Sequence, residues 1–100
     1  MSAIVFDKDS DYLAWVAKHE DRWVLNVSNT FRSRYMVLHR ANCRTISHGQ
    51  NTGAFTERNY RKVCAHSINE LSAWVARNGR PDGDFSLECA KCNPRGVVNP

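Results

Sequence analysis

RYMVLHRANC, which occupies residues 34–43, joins a run of strand-forming residues to two potential metal ligands. Tyr35 and Val37 favour a β-strand, and the run reaches His39 at its end. Cys43 follows four residues later. Two ligands that lie so close in the chain need little rearrangement to bind the same ion. The stretch therefore predicts one half of a zinc site at the end of a strand.

A second pair of ligands lies near the end of the chain, in the segment CAKC at residues 89–92. The spacing of Cys89 and Cys92 is that of a zinc knuckle. The sequence thus predicts one structural Zn²⁺ ion held by His39, Cys43, Cys89 and Cys92. Such an ion would close a long loop, and a long loop costs only slightly more entropy to close than a short one.

Two other interpretations of the cysteines remain open at this point. Cys64 could replace His39 as the fourth ligand, or it could be a small buried apolar residue. Cys89 and Cys92 could form a redox-active pair, but that chemistry usually places the pair at the start of a long helix. Here Asn93 and Pro94 follow at once.

Length and composition favour one small globular domain. The chain has 100 residues, of which 42% are apolar and 24% are charged, so residues 1–100 are expected to form a single zinc-binding domain with its ordered part at about 8–95. No apolar run is long enough for a transmembrane helix, which predicts a protein without membrane association. The first residues lack the basic and apolar regions of a secretory signal, so a cytoplasmic location is expected.

Local patterns predict two helices. Acidic residues precede a helical apolar spacing at about 10–20. The second helix starts with a capping box in which Ser67 is the N-cap and Glu70 follows three residues later. Gly79 is suited to the position just after its C-terminus.

Strands are predicted at 22–27, 34–39 and 60–64, with the first two forming a hairpin and a loop at 45–59. The fold class is therefore expected to be α+β: a small antiparallel sheet of two or three strands and two helices, cross-linked by one structural zinc ion.

The net charge of +4 is concentrated in the middle of the chain. Aromatic residues alternate there with basic ones, and arginine, which suits contacts with phosphate and guanine, outnumbers lysine. This pattern predicts a non-catalytic module that binds nucleic acid. The predicted contacts are Arg32, Arg34, Arg40, Arg44, Arg58, Arg61 and Lys62. An ordinary solvated basic surface would explain the same charge.

Two further functions stay as alternatives. Trp15, Trp23 and Trp74 are many tryptophans for a chain of this length, and an exposed one could anchor a protein partner in an adaptor. A histidine at the end of a hairpin is also the general base of HNH-type metal-dependent nucleases. No carboxylate stands beside His39, however, and no paired carboxylates or phosphate-binding loop occur, so no enzyme activity is expected. The oligomeric state is not indicated by the sequence.

The pattern as a whole resembles a group of short bacterial proteins with an HxxxC…CxxC zinc site. The matching stretches are residues 35–43, 62–64, 71–74 and 89–94. The resemblance implies His39, Cys43, Cys89 and Cys92 as zinc ligands, and it implies no established activity or partner.

Overall fold

The structure, a computed structural model, describes residues 3–47 and 53–95. Five strands and two α-helices are formed within these ranges. In chain order they are β1 (Ile4–Phe6), α1 (Asp9–Lys18), β2 (Trp23–Ser28), β3 (Met36–Arg40), β4 (Tyr60–Ala65), α2 (Ile68–Arg77) and β5 (Leu87–Glu88), with a short 3₁₀ helix at Arg44–Ile46 between β3 and β4. The predicted loop at 45–59 is partly this 3₁₀ helix and partly turns, and residues 48–52 of it lie outside the described residues.

All strands belong to one sheet with the order β1-β4-β2-β3-β5. Neighbouring strands are antiparallel except β3 and β5, which are parallel. The α+β class and the three predicted strands are confirmed, but the expectation of two or three strands is wrong, because the sheet has five and is mixed. β1 and β5 have three and two residues, too few for a periodic pattern to show in the sequence.

One face of the sheet is covered by α2. Leu25, Leu38 and Val63 point to this side and form a buried cluster with Leu71 and Trp74 of the helix. The helix begins as predicted, since the Ser67 side chain accepts a hydrogen bond from the backbone N–H of Glu70. It also ends as predicted: Gly79 has φ +117°, a conformation that favours glycine.

The opposite face is covered only in part. Tyr12 and Val16 of α1 pack with Val24 and Cys64 on the sheet, together with Phe55 from the loop before β4. Beyond this cluster, the Tyr35–Tyr60 end of the same face carries exposed tyrosine side chains. A ligand can therefore reach this face of the sheet at its uncovered tyrosine end, and not beneath α1.

Candidate metal centre

His39 and Cys43 are placed by β3 and the turn that follows it. His39 is the fourth residue of β3 and is only 6% exposed. The chain then turns, with the backbone N–H of Cys43 donating to the carbonyl of Arg40 at 3.0 Å. Cys43 is the N-cap of the 3₁₀ helix and is buried. The strand and the turn thus bring the imidazole and the thiol to the same end of the sheet.

Cys89 and Cys92 reach this place through β5. The parallel pairing of β5 with β3 continues one residue further, where the backbone N–H of Cys89 donates to the carbonyl of Leu38 at 2.9 Å. The chain then forms a tight turn, closed by a hydrogen bond from Asn93 N–H to the Cys89 carbonyl. Asn93 adopts a positive φ of 47°, which asparagine tolerates better than most residues.

The four ligand atoms form one compact cluster. The side-chain donor atoms of His39, Cys43, Cys89 and Cys92 all lie within 4.8 Å of one another, and the Sγ atoms of Cys43 and Cys89 are 4.0 Å apart. Two sulfurs bound to one tetrahedral zinc ion at ~2.3 Å would be ~3.8 Å apart. The predicted ligand set is therefore brought together at distances that fit a metal ion.

The imidazole of His39 is in a state that can bind a metal. Its Nδ1 atom is buried and has no hydrogen-bond partner among the described residues, and a buried polar atom without a partner is costly. Burial, helped by the positive charge of Lys62, lowers the pKa of His39 to about 4. The ring is therefore neutral at pH 7 and keeps a lone pair for coordination.

The two thiols of the CAKC turn differ in acidity. Burial raises the pKa of Cys89, but hydrogen bonds from the backbone of Cys92 and Lys91 and from the thiols of Cys92 and Cys43 outweigh it, so the net shift is downward. Burial raises the pKa of Cys92 to about 12, partly offset by a hydrogen bond from Arg40. A divalent cation would favour the thiolate form of both.

Arg40 holds the CAKC turn in place. Its backbone N–H lies 3.2 Å from Cys92 Sγ, and its guanidinium donates to the carbonyls of Cys92 and Asn93 at 2.9 and 3.0 Å. Such contacts behind a ligand orient it toward the ion. Arg40 is also one of the predicted nucleic-acid contacts, and its side chain is partly exposed beside these bonds.

Cys64, the alternative ligand, lies outside the cluster. It sits in the middle of β4, opposite Ile4 and Val24, and is fully buried beneath α1. Burial raises the pKa of its thiol well above the ordinary value. Among the described residues, His39 and not Cys64 completes the group of four.

Six of the seven predicted nucleic-acid contacts lie at the two ends of the sheet, and the seventh, Lys62, is buried. Arg40 and Arg44 lie beside the metal centre, and Arg44 is exposed. The loops that carry Arg32 and Arg34 on one side and Arg58 on the other meet at the opposite end of the sheet, where Asn29 bonds to the backbone of both Arg58 and Asn59. Arg61 is at that end too, with its guanidinium donating to the carbonyls of Arg58 and Tyr60.

Lys62 is not accessible to a phosphate. It is 3% exposed, and its ammonium donates to Asn26 Oδ1 at 2.9 Å and to the Phe55 carbonyl at 2.7 Å. The alternation along β4 turns its side chain to the face covered by α1 and the Phe55 loop. The prediction of a nucleic-acid contact at Lys62 is therefore corrected to a buried structural role.

Sequence reasoning did not separate the aromatic residues that are exposed from those in the core. Phe31 packs edge-on against Trp74, and Phe55 packs against Tyr12. Tyr35 and Tyr60 instead remain 36% and 39% exposed, with ring centroids 5.6 Å apart. The only sequence signal for this pair was that each tyrosine lies at the start of a strand. The sequence does not show that these two strands flank β2, which brings the two rings together.

Comparison with protein-family models, curated proteins and solved structures finds no match to this chain. Its function is therefore inferred from the geometry of the site. The described part of the chain contains no helix with the length and hydropathy that crossing a membrane requires.

Proposed function

We propose that this protein is a small non-catalytic zinc-binding module that binds nucleic acid through the end of its sheet that carries Tyr35 and Tyr60. Three sulfur donors and one imidazole nitrogen are a donor set that zinc favours, whereas Mg²⁺ and Ca²⁺ prefer oxygen ligands. Four protein ligands fill the tetrahedral coordination of zinc and leave no open position for a substrate. The proposed role of the ion is thus structural.

Metal content tests this part of the proposal. We expect one zinc ion per chain in the wild type and in Cys64→Ala, and loss of zinc in Cys92→Ser. Cys64→Ala is the matched control, because it removes a buried thiol outside the cluster of four. Elemental analysis of purified protein, with far-UV circular dichroism as a check on folding, gives the readout. A folded wild type without metal, or equal loss of zinc in both variants, would contradict the structural zinc site.

The Tyr35–Tyr60 pair is the observation that carries the nucleic-acid part. Two exposed tyrosine rings lie side by side on the uncovered part of the sheet, next to the loops that carry Arg32, Arg34 and Arg58. Aromatic faces stack on bases and arginines neutralise phosphates, so this combination suits a nucleic acid.

Fluorescence anisotropy with labelled DNA and RNA at several salt concentrations tests the binding. We expect affinity to fall steeply with salt and the triple variant Arg32→Gln/Arg34→Gln/Arg58→Gln to reduce the salt slope by about 2 to 3, roughly one for each lost phosphate contact. Lys18→Gln, which removes an exposed lysine at the end of α1, serves as the control and should leave the slope unchanged. Absence of binding to every probe at low salt would rule out this function.

The two alternative functions gain no support from the geometry. Trp74 is buried, Trp23 donates its indole N–H to the Pro94 carbonyl, and Trp15 is partly buried and stacked on His19. None of the three indoles is an exposed anchor for a protein partner. His39 lies among three thiols, and a histidine that binds the metal cannot serve as the general base of a nuclease.

A further inference from the structure

A groove lies along β3 and β5 between Tyr35 and the metal centre, and Tyr60 packs beside Tyr35 at its outer end. This part has a volume of about 360 Å³, and its walls include Asn26, Tyr35, Val37, Leu87 and Lys91, with the ligands His39 and Cys89 at the metal end. Leu87 is 63% exposed and lies opposite Val37 in the sheet. The walls thus combine apolar side chains with an amide, a hydroxyl and an ammonium group.

The groove continues into a second depression beside the metal centre. This part has a volume of about 570 Å³ and is lined by Arg40, Asn42, Arg44 and neighbouring residues. Thr45 and Lys91 line both parts. The two depressions therefore adjoin at this pair: the first lies along β3, and the second lies beyond the end of β3, beside the turn that carries Cys43.

The charge along the groove favours an anionic ligand. No acidic side chain lines either part, whereas Arg44 and Lys91 are exposed at the metal end. Glu88 of β5 is the acidic residue beside Leu87, and its carboxylate is paired with Arg95 at 2.6 Å. Basic groups thus dominate one end of the groove, and exposed apolar and aromatic groups dominate the other.

The side chain of Tyr35 is held in position by Asn26 of β2. Asn26 donates a hydrogen bond from its side-chain amide to the Tyr35 hydroxyl at 3.1 Å, and the amide oxygen of Asn26 accepts one from the buried Lys62. The ammonium of Lys62 also lies 5.7 Å from the centre of the Tyr60 ring. Both rings are therefore fixed before a ligand arrives, which reduces the ordering cost of binding.

We infer that this groove binds a short segment of single-stranded nucleic acid, with unpaired bases stacked on Tyr35 and Tyr60 and the backbone phosphates beside Lys91 and Arg44. This inference rests on the proposed function and adds the strand state of the ligand and its path. In a duplex the faces of the bases are covered by their neighbours, so an aromatic platform in a groove selects single strands. The five residues of β3 span ~17 Å at ~3.3 Å per residue, enough for about five stacked nucleotides.

Binding of three labelled probes tests the inference: an oligothymidylate and an oligouridylate of about twelve nucleotides, and a mixed-sequence DNA duplex of about the same length. Zinc-loaded protein should bind the single strands more tightly than the duplex. Shortening the single strand should leave the affinity nearly unchanged down to about five nucleotides and weaken it below that.

Two double variants test the two ends of the groove separately. Tyr35→Leu/Tyr60→Leu should weaken single-strand binding by about tenfold or more and change duplex binding little. Lys91→Gln/Arg44→Gln should lower the salt slope for the single strand by about 1.4. Lys18→Gln/Arg77→Gln, which removes two charges outside the groove, is the matched control, and zinc content and circular dichroism confirm folding.

The outcomes distinguish the inference from the function on which it rests. Preference for the duplex, or single-strand binding that the tyrosine variant leaves intact, would overturn the inference while nucleic-acid binding stands. Failure to bind any of the three probes at low salt would overturn both.

Discussion

At the scale of single residues, Lys62 shows how burial changes the task of a charged side chain. It lies between Tyr12 and Tyr60, with its ammonium 5.9 and 5.7 Å from the two ring centres. Burial lowers its pKa to about 8, although Asp9 and Cys64 act in the opposite direction. The hydrogen bonds to Asn26 and Phe55 satisfy two of its three N–H donors, so the residue connects the tyrosine pair to the core.

The lowered pKa of Lys62 gives stability a specific pH dependence. An unfolded lysine keeps its proton to about pH 10.4. Between pH 8 and 10 the unfolded state therefore binds more protons than the folded state, and the contribution of Lys62 to stability rises with pH. We expect the free energy of unfolding of the wild type to increase relative to that of Lys62→Met as the pH is raised from about 7 to 10. Urea denaturation of the zinc-loaded proteins measures it.

The cysteine thiol of the unfolded chain titrates in the same pH range. Burial raises the pKa of Cys64, so its contribution to stability falls as the pH rises through the unfolded value. Because Lys62 and Cys64 shift each other's pKa, both proteins are measured in a Cys64→Ala background, which removes this contribution. Lys18→Met, which removes an exposed lysine, is the control. A difference that stays constant over the whole pH range would show that Lys62 is not desolvated.

Arg40 is the residue that supports the CAKC turn at the metal centre. Its guanidinium bonds to two carbonyls of the CAKC turn, so Arg40→Gln should loosen the turn and speed the loss of zinc to a chelator by about tenfold. Arg58→Gln, which removes an exposed arginine at the other end of the sheet, should lose zinc at the wild-type rate. A colorimetric chelator assay measures both. Equal rates in Arg40→Gln and wild type would show that these bonds do not support the site.

At the scale of secondary-structure elements, the start of α1 is fixed by contacts that are distant in sequence. The backbone N–H of Asp9 donates to Glu57 Oε2, while Asp9 Oδ1 accepts from the backbone and hydroxyl of Thr56 at 2.8 and 2.7 Å. Lys8 at the N-cap makes no side-chain cap. The helix and the loop before β4 therefore satisfy each other's polar groups.

Asp9→Ala should remove this connection. Thr56 is fully buried, so its N–H and hydroxyl would lose an acceptor away from water, at a cost of about 2 to 3 kcal/mol. For a domain of this size that corresponds to a fall in the melting temperature of roughly 10 °C or more. Asp11→Ala removes an exposed acid from the same helical turn and should change the melting temperature by only a few degrees. Thermal denaturation compares the two, and equal effects would contradict the role of Asp9.

The two helices also show what sequence can predict and what it cannot. α2 carries its start and stop signals, Ser67 and Gly79, within its own segment, so both ends are predictable. The helix predicted at about 10–20 is observed as α1 at Asp9–Lys18, so its acidic first turn placed its start, but no local pattern reveals the contacts of that start with Thr56 and Glu57. The strands β1 and β5 form only because β4 and β3 offer edges to pair with. Local signals are readable, whereas pairing between distant segments is not.

The same distinction applies to the candidate site. The ligand pairs His39/Cys43 and Cys89/Cys92 are each local, and their spacing predicted the cluster. The choice between His39 and Cys64 required the register of β4, which places Cys64 opposite Val24 in the core. The charge pattern likewise suggested Lys62 as a surface residue, because a sequence does not show which basic side chains fold inward.

At the scale of the whole molecule, the metal centre connects two parts of the chain that are far apart. The 45 residues between Cys43 and Cys89 include β4 and α2. Residues 87–95, the end of the described chain, contact the rest of the domain mainly through β3 and the CAKC turn. Binding of Zn²⁺ to three thiolates changes the formal charge of +4 to about +3. The ion therefore acts as a cross-link with little effect on the overall basic character.

Removal of the metal should loosen this cross-link without unfolding the domain. Losing a link that closes a loop of this length lowers the free energy of unfolding by about 4 kcal/mol, which corresponds to a fall of roughly 16 to 32 °C in melting temperature. The cluster between α2 and the sheet contains none of the four ligands, so α2 and the strands beneath it should persist by far-UV circular dichroism. Trypsin should then cut after Lys91, between the released cysteines, well before it cuts after Arg77 in α2. Cutting at both sites at the same rate after chelation would show instead that the metal is required for the fold as a whole.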